Sequence, residues 1–268
     1  MATQRRPPRL LSIAGSDSGG GAGIQADLKA FARCGAHGMT AITAITAQNT
    51  TAVTAVYPLP PQAIVDQVAA VADDIGVDAI KIGMLGTVET IDAVARALEL
   101  VPRAPIVLDP VMVAESGARL LDEEAIDALR KLLVPRASVV TPNLPEAAVL
   151  ADAAVEAGAE ELARAVHALG PKAVVVTGGH RERAADLFYD GERFCEIEGE
   201  QHPDGAAHGS GCTHSAALAA GLGSGLDALA AARQAQRIAN AAVRDGLREL
   251  GGGAGPVDVL GLDAQLDG

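Results

Sequence analysis

Short apolar runs alternate along this chain with longer stretches of helical period. Leu10 to Ala14 reads as a buried strand, followed by a glycine loop and a helix from Ile24 to Cys34. Met39 to Thr46, with its β-branched residues, reads as a strand, and Val53 to Tyr57 as another. Pro61 suits the first turn of a helix running to about Ile75. Ala79 to Ile82 is a short strand. Ile91, Val94, Ala95 and Leu98 then fall at i, i+3, i+4 and i+7, one apolar helix face. Ile106 to Leu108 is a strand ending at Asp109, and Asp122 is placed to N-cap a helix carrying Ile126, Leu129 and Leu133. Ser138 to Thr141 and Ala173 to Thr177 are further strands, with a helix marked by Leu162, Val166 and Leu169 between them. Asp186 to Tyr189 and Arg193 to Ile197 flank Asp190-Gly191, a hairpin signal. The final third is mostly helix, from Gly211 to Leu222 and from Ala228 to Leu247.

Strands of continuous apolar character alternating with helices predict a mostly parallel sheet covered on both faces. The expectation is one α/β domain over residues 10–268, behind a short extension at 1–9. In such sheets ligands gather beyond the carboxyl ends of the strands. The polar and glycine-rich segments 15–27, 46–49, 83–86, 109–117, 141–146 and 177–180 are therefore where a site is sought.

Composition narrows this picture. A chain of 268 residues, 49% hydrophobic, can bury a sizeable core. Aromatic residues make up only 2%, so a flat ligand cannot be sandwiched between many rings. The formal net charge of -13 argues against nucleic acid or an anionic membrane as partner, since both need a clustered cationic face. It leaves room for a phosphate-bearing ligand held by backbone N–H groups, a helix N-terminus and a metal ion. Cys34, Cys195 and Cys212 stand apart from one another, without metal-ligand spacing, which fits a reducing compartment rather than a disulfide framework or a zinc site. The apolar stretch after the basic start ends at Gly15, too short for a signal sequence or a membrane span, so a cytoplasmic protein is expected.

The loop Gly15-Ser16-Asp17-Ser18-Gly19-Gly20-Gly21-Ala22-Gly23 follows a strand and opens a helix. It has neither the Gly-Lys-Ser/Thr ending of a P-loop nor the spacing of a dinucleotide fingerprint. It is either a plain strand–helix turn or a backbone that closes over a small ligand, with Asp27 offering a carboxylate one turn into the helix. His208-Gly209-Ser210-Gly211-Cys212-Thr213 runs straight into an apolar helix. A Gly-x-Gly turn at a helix start leaves N–H groups outward, and with the helix dipole these make an anion site. Cys212 falls in the first turn, where a thiol's pKa tends to be lowered; the plainer reading is a cap with a structural cysteine. Asn143 and Glu146 would sit near another helix start, able to organise Mg²⁺ through water or simply to complement the dipole. Asp109 at a strand end is a metal or base candidate, or a turn residue before Pro110. Thr177-Gly178-Gly179-His180 lets a nucleotide approach a strand end, or is a plain turn. No serine lies in a Gly-x-Ser-x-Gly elbow, which leaves a serine hydrolase poorly supported.

Taken together these segments resemble one family. Ala14 to Asp27, Ala47-Gln48-Asn49-Thr50, Lys81-Ile82-Gly83-Met84-Leu85, Leu108-Asp109-Pro110-Val111-Met112, Thr141 to Ala147 and His208 to Thr213 are similar, in order, to the blocks of the hydroxymethylpyrimidine (phosphate) kinases of thiamine synthesis. The resemblance spans about Leu10 to Pro256. It implies a three-layer α/β/α sandwich of the ribokinase-like kind with a mostly parallel central sheet. It also implies Mg-ATP, and phosphoryl transfer to 4-amino-5-hydroxymethyl-2-methylpyrimidine and then to its monophosphate. Carried over, it implies that Gly15, Asp27, Gln48, Met84 and Val111 line the pyrimidine pocket. Asn143, Thr177, Gly178, Gly179 and Thr213 would serve ATP and its phosphates, with Glu146 and Asp109 toward Mg²⁺. Gly209, Ser210, Gly211 and Cys212 would form the catalytic anion hole, with Cys212 where the wider group places an Asp base. A homodimer is the expected assembly. Two departures stand out: Thr177 occupies a place where many members carry Lys, and Gly205-Ala206-Ala207 replaces a polar stretch. A pyridoxal kinase of the same fold, and more distantly a nucleotide-binding protein that is not a kinase, are the competing readings.

Overall fold

The computed structural model describes residues 6–178, 184–203 and 205–262. Six strands lie parallel: β1 (Arg9–Ala14), β2 (His37–Ile42), β5 (Ala79–Ile82), β6 (Ile106–Leu108), β7 (Val139–Val140) and β8 (Val174–Val176). The antiparallel hairpin β9 (Asp186–Tyr189) and β10 (Phe194–Ile197) continues the sheet at one edge. The order across the eight strands is β10-β9-β8-β7-β6-β5-β1-β2. The helices are α1 (Gly23–Arg33), α2 (Pro61–Asp74), α3 (Val88–Ala97), α4 (Glu123–Ala128), α5 (Leu144–Ala151), α6 (Gly158–His167), α7 (Ser210–Gly223) and α8 (Ala228–Arg244).

Side-chain alternation along each strand feeds two cores, because successive residues face opposite sides of the sheet. Leu11, Ile13, Ile80, Ile82, Leu108, Val140, Val174 and Val176 pack with residues of α2 to α6. Leu10, Ala79, Val107, Val139, Val175 and Phe188 pack with α1, α7 and α8 on the other side. This is the expected three-layer α/β/α arrangement. Burying an aliphatic side chain of this kind is worth roughly 1.5–3 kcal/mol, so the two faces hold the strands in register.

Three differences from the sequence pattern have local causes. The apolar run 39–46 is not one strand. It breaks at Thr43, whose N–H donates to Ala14 and whose hydroxyl donates to Met84. Beyond it, β3 (Ala44–Gln48) pairs with β4 (Val53–Pro58) in a separate two-stranded antiparallel sheet. Second, α4 is short and gives way to a π-type turn over Leu129–Leu133 and a 3₁₀ turn over Val134–Arg136. Pro135 in that stretch cannot donate to the helical ladder, and its ring excludes the carbonyl four residues earlier. Asp122 takes the extended N-cap backbone but makes no side-chain capping bond. Third, α8 ends at Arg244 rather than Leu247: beyond the cap, the Leu247 N–H leaves the helical ladder and donates to the Pro256 carbonyl at 2.9 Å.

The order in which the chain adds strands to the sheet reverses between β1 and β5. From β1 the path moves outward to β2, and from β5 it moves the other way through β6, β7 and β8. In an open parallel sheet a crevice forms at such a switch point, outside the carboxyl ends. Gly15 follows β1 and Gly83 follows β5, so the glycine loop, the Met84 turn and Asp109 converge there. No helix among the described residues is long and apolar enough to cross a membrane.

Candidate active site

A cavity of about 580 Å³ opens at this switch point. One arm is walled by Gly15, Ser16, Gln48, Met84 and Val111. Gly15 donates its N–H to the Met84 carbonyl at 3.2 Å, and a Cβ on Gly15 would stand 2.7 Å from the Met84 methyl carbon. A side chain there would have to push the tip of Met84 aside. Gln48 comes from the small sheet. Its backbone is fixed by Ser18, whose hydroxyl accepts from Gln48 N at 2.8 Å and donates to Gln48 O at 2.6 Å. Its side-chain oxygen accepts only a long 3.4 Å bond from Thr46 among the described residues, which leaves the amide available to a ligand. The other arm is lined by Thr177, Asp186, Gln236, Ala239, Asn240 and Val243, the last four from the face of α8.

Between the arms stands the N-terminus of α7. Gly209 caps it at φ 84, a left-handed conformation that favours glycine. The N–H groups of Ser210 and Thr213 find the carbonyls of Ala207 and Gly209. Those of Gly211 and Cys212 have no bonded carbonyl among the described residues, and the space beside Gly211 is open. With the helix dipole behind them, these donors form an anion site facing both arms.

The floor of the site carries a charge cluster. Lys81, the single polar residue of the β5 strand, is fully buried and lines the cavity. Its ammonium lies 2.9 Å from Asp27 Oδ1 and 3.9 Å from Asp109 Oδ2. Ser12 donates to Asp27 at 2.5 Å, and Ser215 donates to Asp109 at 2.9 Å. Burial alone would lower the pKa of Lys81, but the carboxylates of Asp27 and Asp109 help to outweigh it and push the pKa up, so the ammonium stays charged. Asp27 itself is fully buried and is not part of the cavity wall. The expectation that it lines the pocket is corrected: its carboxylate is committed to Lys81 and Ser12, and Lys81 faces the cavity instead.

Cys212, third residue of α7, is half-buried and lines the cavity. Burial pushes its thiol up to about 12, outweighing the nearby Lys81 ammonium and the N–H of Gly23. Burial thus acts against the lowering expected at a helix terminus. The carboxylates of Asp27 and Asp109 push in the same direction as burial.

Asn143 and Glu146 form a reciprocal capping box at the start of α5. Asn143 Oδ1 accepts from Glu146 N at 2.8 Å, and Glu146 Oε2 accepts from Asn143 N at 3.0 Å. Met112 N also donates to Glu146 at 3.4 Å. Burial first, and then Asp109, push the Glu146 carboxyl up to about 8. Both carboxylates border the cavity. Thr177 borders it as well, tied by its N–H to Pro142 at 2.9 Å. Gly178 lies behind the wall: it is buried, donates to Asp186 at 2.9 Å, and is absent from the lining. Thr213 is likewise buried behind the wall, with an unpartnered hydroxyl among the described residues. The expected contact of these two with ATP phosphates has no counterpart in the described lining of the cavity. Gly179 and His180 lie outside the described residues.

Sequence reasoning left out Lys81 as a site residue, although a lone Lys inside an apolar strand is a visible signal. It also left out Ser215, one helical turn beyond Cys212 under Asp109, and the α8 residues of the second arm, Gln236, Ala239, Asn240 and Val243, which belong to no motif in the sequence.

The phosphomethylpyrimidine kinase family model matches residues 17–258. The hydroxymethylpyrimidine/phosphomethylpyrimidine kinase of Rhizobium meliloti is 47% identical over 92% of this chain and 95% of its own length. The protein of the same description from Streptomyces coelicolor is 44% identical over 94% of both chains. Among solved structures, the ADP complex of Bacillus subtilis pyridoxal kinase superposes with a TM-score of 0.87 at 39% identity, covering 96% of this chain and 99% of that one. The ribokinase-like fold implied by the sequence blocks is thus shared with such kinases. By the family match over nearly its whole length and by these identities, the chain belongs to the phosphomethylpyrimidine kinase family.

Proposed function

We propose that this protein transfers the γ-phosphoryl group of ATP to the hydroxymethyl oxygen of 4-amino-5-hydroxymethyl-2-methylpyrimidine, and then phosphorylates the monophosphate. The observation that carries this reading is the free N-terminus of α7 set between two arms of one cavity. A phosphoryl group at Gly211 and Cys212 would meet a small acceptor on one side and a nucleotide on the other. Such transfer needs positioning and charge stabilisation more than covalent chemistry, which a backbone anion site and a buried ammonium supply. The relatives' names agree with the pyrimidine as acceptor.

In this reading the acceptor arm takes the ring against Met84 and Val111. An aminopyrimidine presents a donor beside an acceptor, and the amide of Gln48 answers both. Pyridoxal lacks the amino group. As the acceptor oxygen bonds to the γ-phosphorus, the bond to ADP breaks and the acceptor loses its proton. Lys81 is the only Lys or Arg lining the cavity among the described residues, and its fixed charge stands beneath the reacting groups. Cys212 enters the reaction as a thiol rather than a resident thiolate. A loose transition state makes modest demands on a base.

Mg²⁺ fits the donor set at Asp109 and Glu146. Two hard carboxylates border the cavity, and Asp109 already raises the pKa of Glu146, a strain that a cation relieves. No group of three or more His, Cys, Asp or Glu among the described residues could hold a metal. Phosphate oxygens and water must then complete the shell, the usual manner for Mg²⁺ in phosphoryl-transfer sites. Bound there, Mg²⁺ neutralises charge on the phosphates.

An ADP-release assay with the pyrimidine alcohol, its monophosphate, pyridoxal and ribose tests the reading. Turnover of the two pyrimidines above the other two is expected. Turnover of pyridoxal alone would replace the pyrimidine assignment with the pyridoxal one.

A further inference from the structure

Two glycine segments joined through Asp17 and His208, which are 191 residues apart in sequence, meet at the cavity wall. The acceptor-side loop is organised by Asp17, which is 1% exposed. Its Oδ1 accepts from Gly19 N at 2.8 Å, and its Oδ2 accepts from Gly21 N at 3.0 Å and Ala22 N at 2.8 Å. The same Oδ2 lies 3.0 Å from Nε2 of His208, which is 7% exposed. His208 immediately precedes the Gly209 cap of α7. Its own backbone is anchored by a bond to Gly255 O and one from Val257 N. The two backbones also touch directly: a Cβ on Gly209 would stand 1.8 Å from Gly21 O, and one on Gly21 would stand 2.2 Å from the His208 ring.

We propose that Asp17 and His208 are positioning residues whose hydrogen bond locks the acceptor-side loop to the phosphate-side loop and so sets the line of approach of acceptor to phosphoryl group. The loop that begins at Gly15 and ends at Gly23 walls the acceptor arm, and the loop that ends at Gly209 presents the anion donors. Neither Asp17 nor the His208 ring needs to touch the reacting atoms to matter. If the two loops slide, acceptor oxygen and phosphorus part, and a misplacement of about 1 Å can cost on the order of 100-fold in rate. The bond joins elements from opposite ends of the chain, and no other side-chain hydrogen bond between these two loops is found among the described residues. The glycines at the contact permit close approach but cannot by themselves fix an angle. The carboxylate with its three loop donors and one ring donor does that. Arg, Lys and other acidic groups take no part in these bonds to Asp17.

This inference rests on the kinase reading of the cavity, and the test separates the two. Steady-state kinetics and melting are measured on the full chain and on Asp17→Asn, His208→Gln, His208→Asn and His208→Leu. If the unaltered protein shows no phosphoryl transfer, the kinase reading fails and the inference falls with it. With an active protein, His208→Leu is expected to lose about 100-fold in kcat, with the KM for ATP changed less than about threefold, because the nucleotide arm is untouched. His208→Gln, whose amide can reach Asp17 and donate, should recover at least about tenfold over Leu; His208→Asn, one methylene shorter, should not. Asp17→Asn combined with His208→Leu should be no worse than the poorer single variant, the coupling expected of partners in one bond. Should the Leu variant fail to fold, the Gln and Asn variants carry the same comparison. Equal kcat per folded molecule across all of them, with only the melting temperature lowered, would overturn the inference in favour of a purely structural pair. So would Gln performing no better than Asn.

Discussion

Replacing Lys81 by Met should destabilise the protein severely, and replacing Asp27 by Leu in the same molecule should restore most of the loss. Both side chains are fully buried, and the ammonium and carboxylate are 2.9 Å apart. With Lys81 gone, Asp27 keeps only the Ser12 hydroxyl as a bonded partner among the described residues. Breaking a buried pair from one side typically costs about 3–5 kcal/mol, whereas exchanging both partners for apolar residues of similar volume is close to neutral or stabilising. An unfolding entropy of about 2.1 cal/mol/K per residue then converts the single loss, over 268 residues, into a fall of about 5–9 °C in Tm. The deficit has a pH signature. A carboxyl left alone in the interior titrates above its unfolded value near 3.9. The folded form then binds the proton more tightly, so stability is lost as pH rises from that unfolded value up to the raised folded one. The Lys81→Met melt should therefore approach the unaltered protein's as pH falls toward 4 and diverge toward neutrality. Calorimetry or circular dichroism of the two single variants and the double variant provides the assay. The double variant should melt near the unaltered protein yet remain poorly active, since the positive charge beneath the reacting groups is gone. A Lys81→Met melt within 1–2 °C at pH 7, or a double variant as unstable as the sum of the singles, would refute the argument from uncompensated charge.

Further expectations follow from the same geometry. Gln48→Leu should lower kcat/KM for the pyrimidine by roughly 10- to 100-fold, the cost of leaving a polar ring edge unpaired, and should lower it less for pyridoxal; equal losses would make Gln48 structural. Because burial holds Cys212 protonated, Cys212→Ala should cost less in kcat than the roughly 100-fold that marks the lower end of general-base catalysis. Iodoacetamide should also label that thiol slowly at pH 7.5 and faster only as pH climbs toward its value of about 12; rapid labelling at neutral pH would show a thiolate instead. Glu146, with its carboxyl pushed up to about 8, should release a proton when Mg-ATP binds near pH 7. Calorimetric titration in two buffers of different ionisation enthalpy reads that release, which Glu146→Gln should abolish.

Much of the sheet could be read from the sequence because strands buried on both faces must be apolar throughout. Ile106 to Leu108, Ala79 to Ile82 and Asp186 to Tyr189 fall where the pattern puts them. The strand ends then point to the site, since Gly15, Met84, Asp109 and Thr177 all border one cavity. What the pattern hides are pairings over long sequence separation. Asp27 offers the same signal whether it faces a ligand or a buried Lys81 that lies 54 residues away. Asp17 and His208 are ordinary loop residues until the fold brings them together. The strand break at Thr43 arises from two tertiary hydrogen bonds, to Ala14 and Met84, that no local propensity encodes. Cys212 shows the same limit in its chemistry: its place in the first turn of a helix is visible in the sequence, but the burial that reverses the expected shift is not.

The central claim is that the free N-terminus of α7 passes a phosphoryl group from ATP in one arm of the cavity to a pyrimidine alcohol in the other. Phosphorus NMR of the full chain incubated with ATP, Mg²⁺ and 4-amino-5-hydroxymethyl-2-methylpyrimidine follows that transfer directly. The account predicts the resonance of a pyrimidine monophosphate, followed by that of a pyrophosphate, each rising as ATP gives way to ADP. ATP left intact, or consumed to inorganic phosphate with no organic phosphate formed, would contradict it.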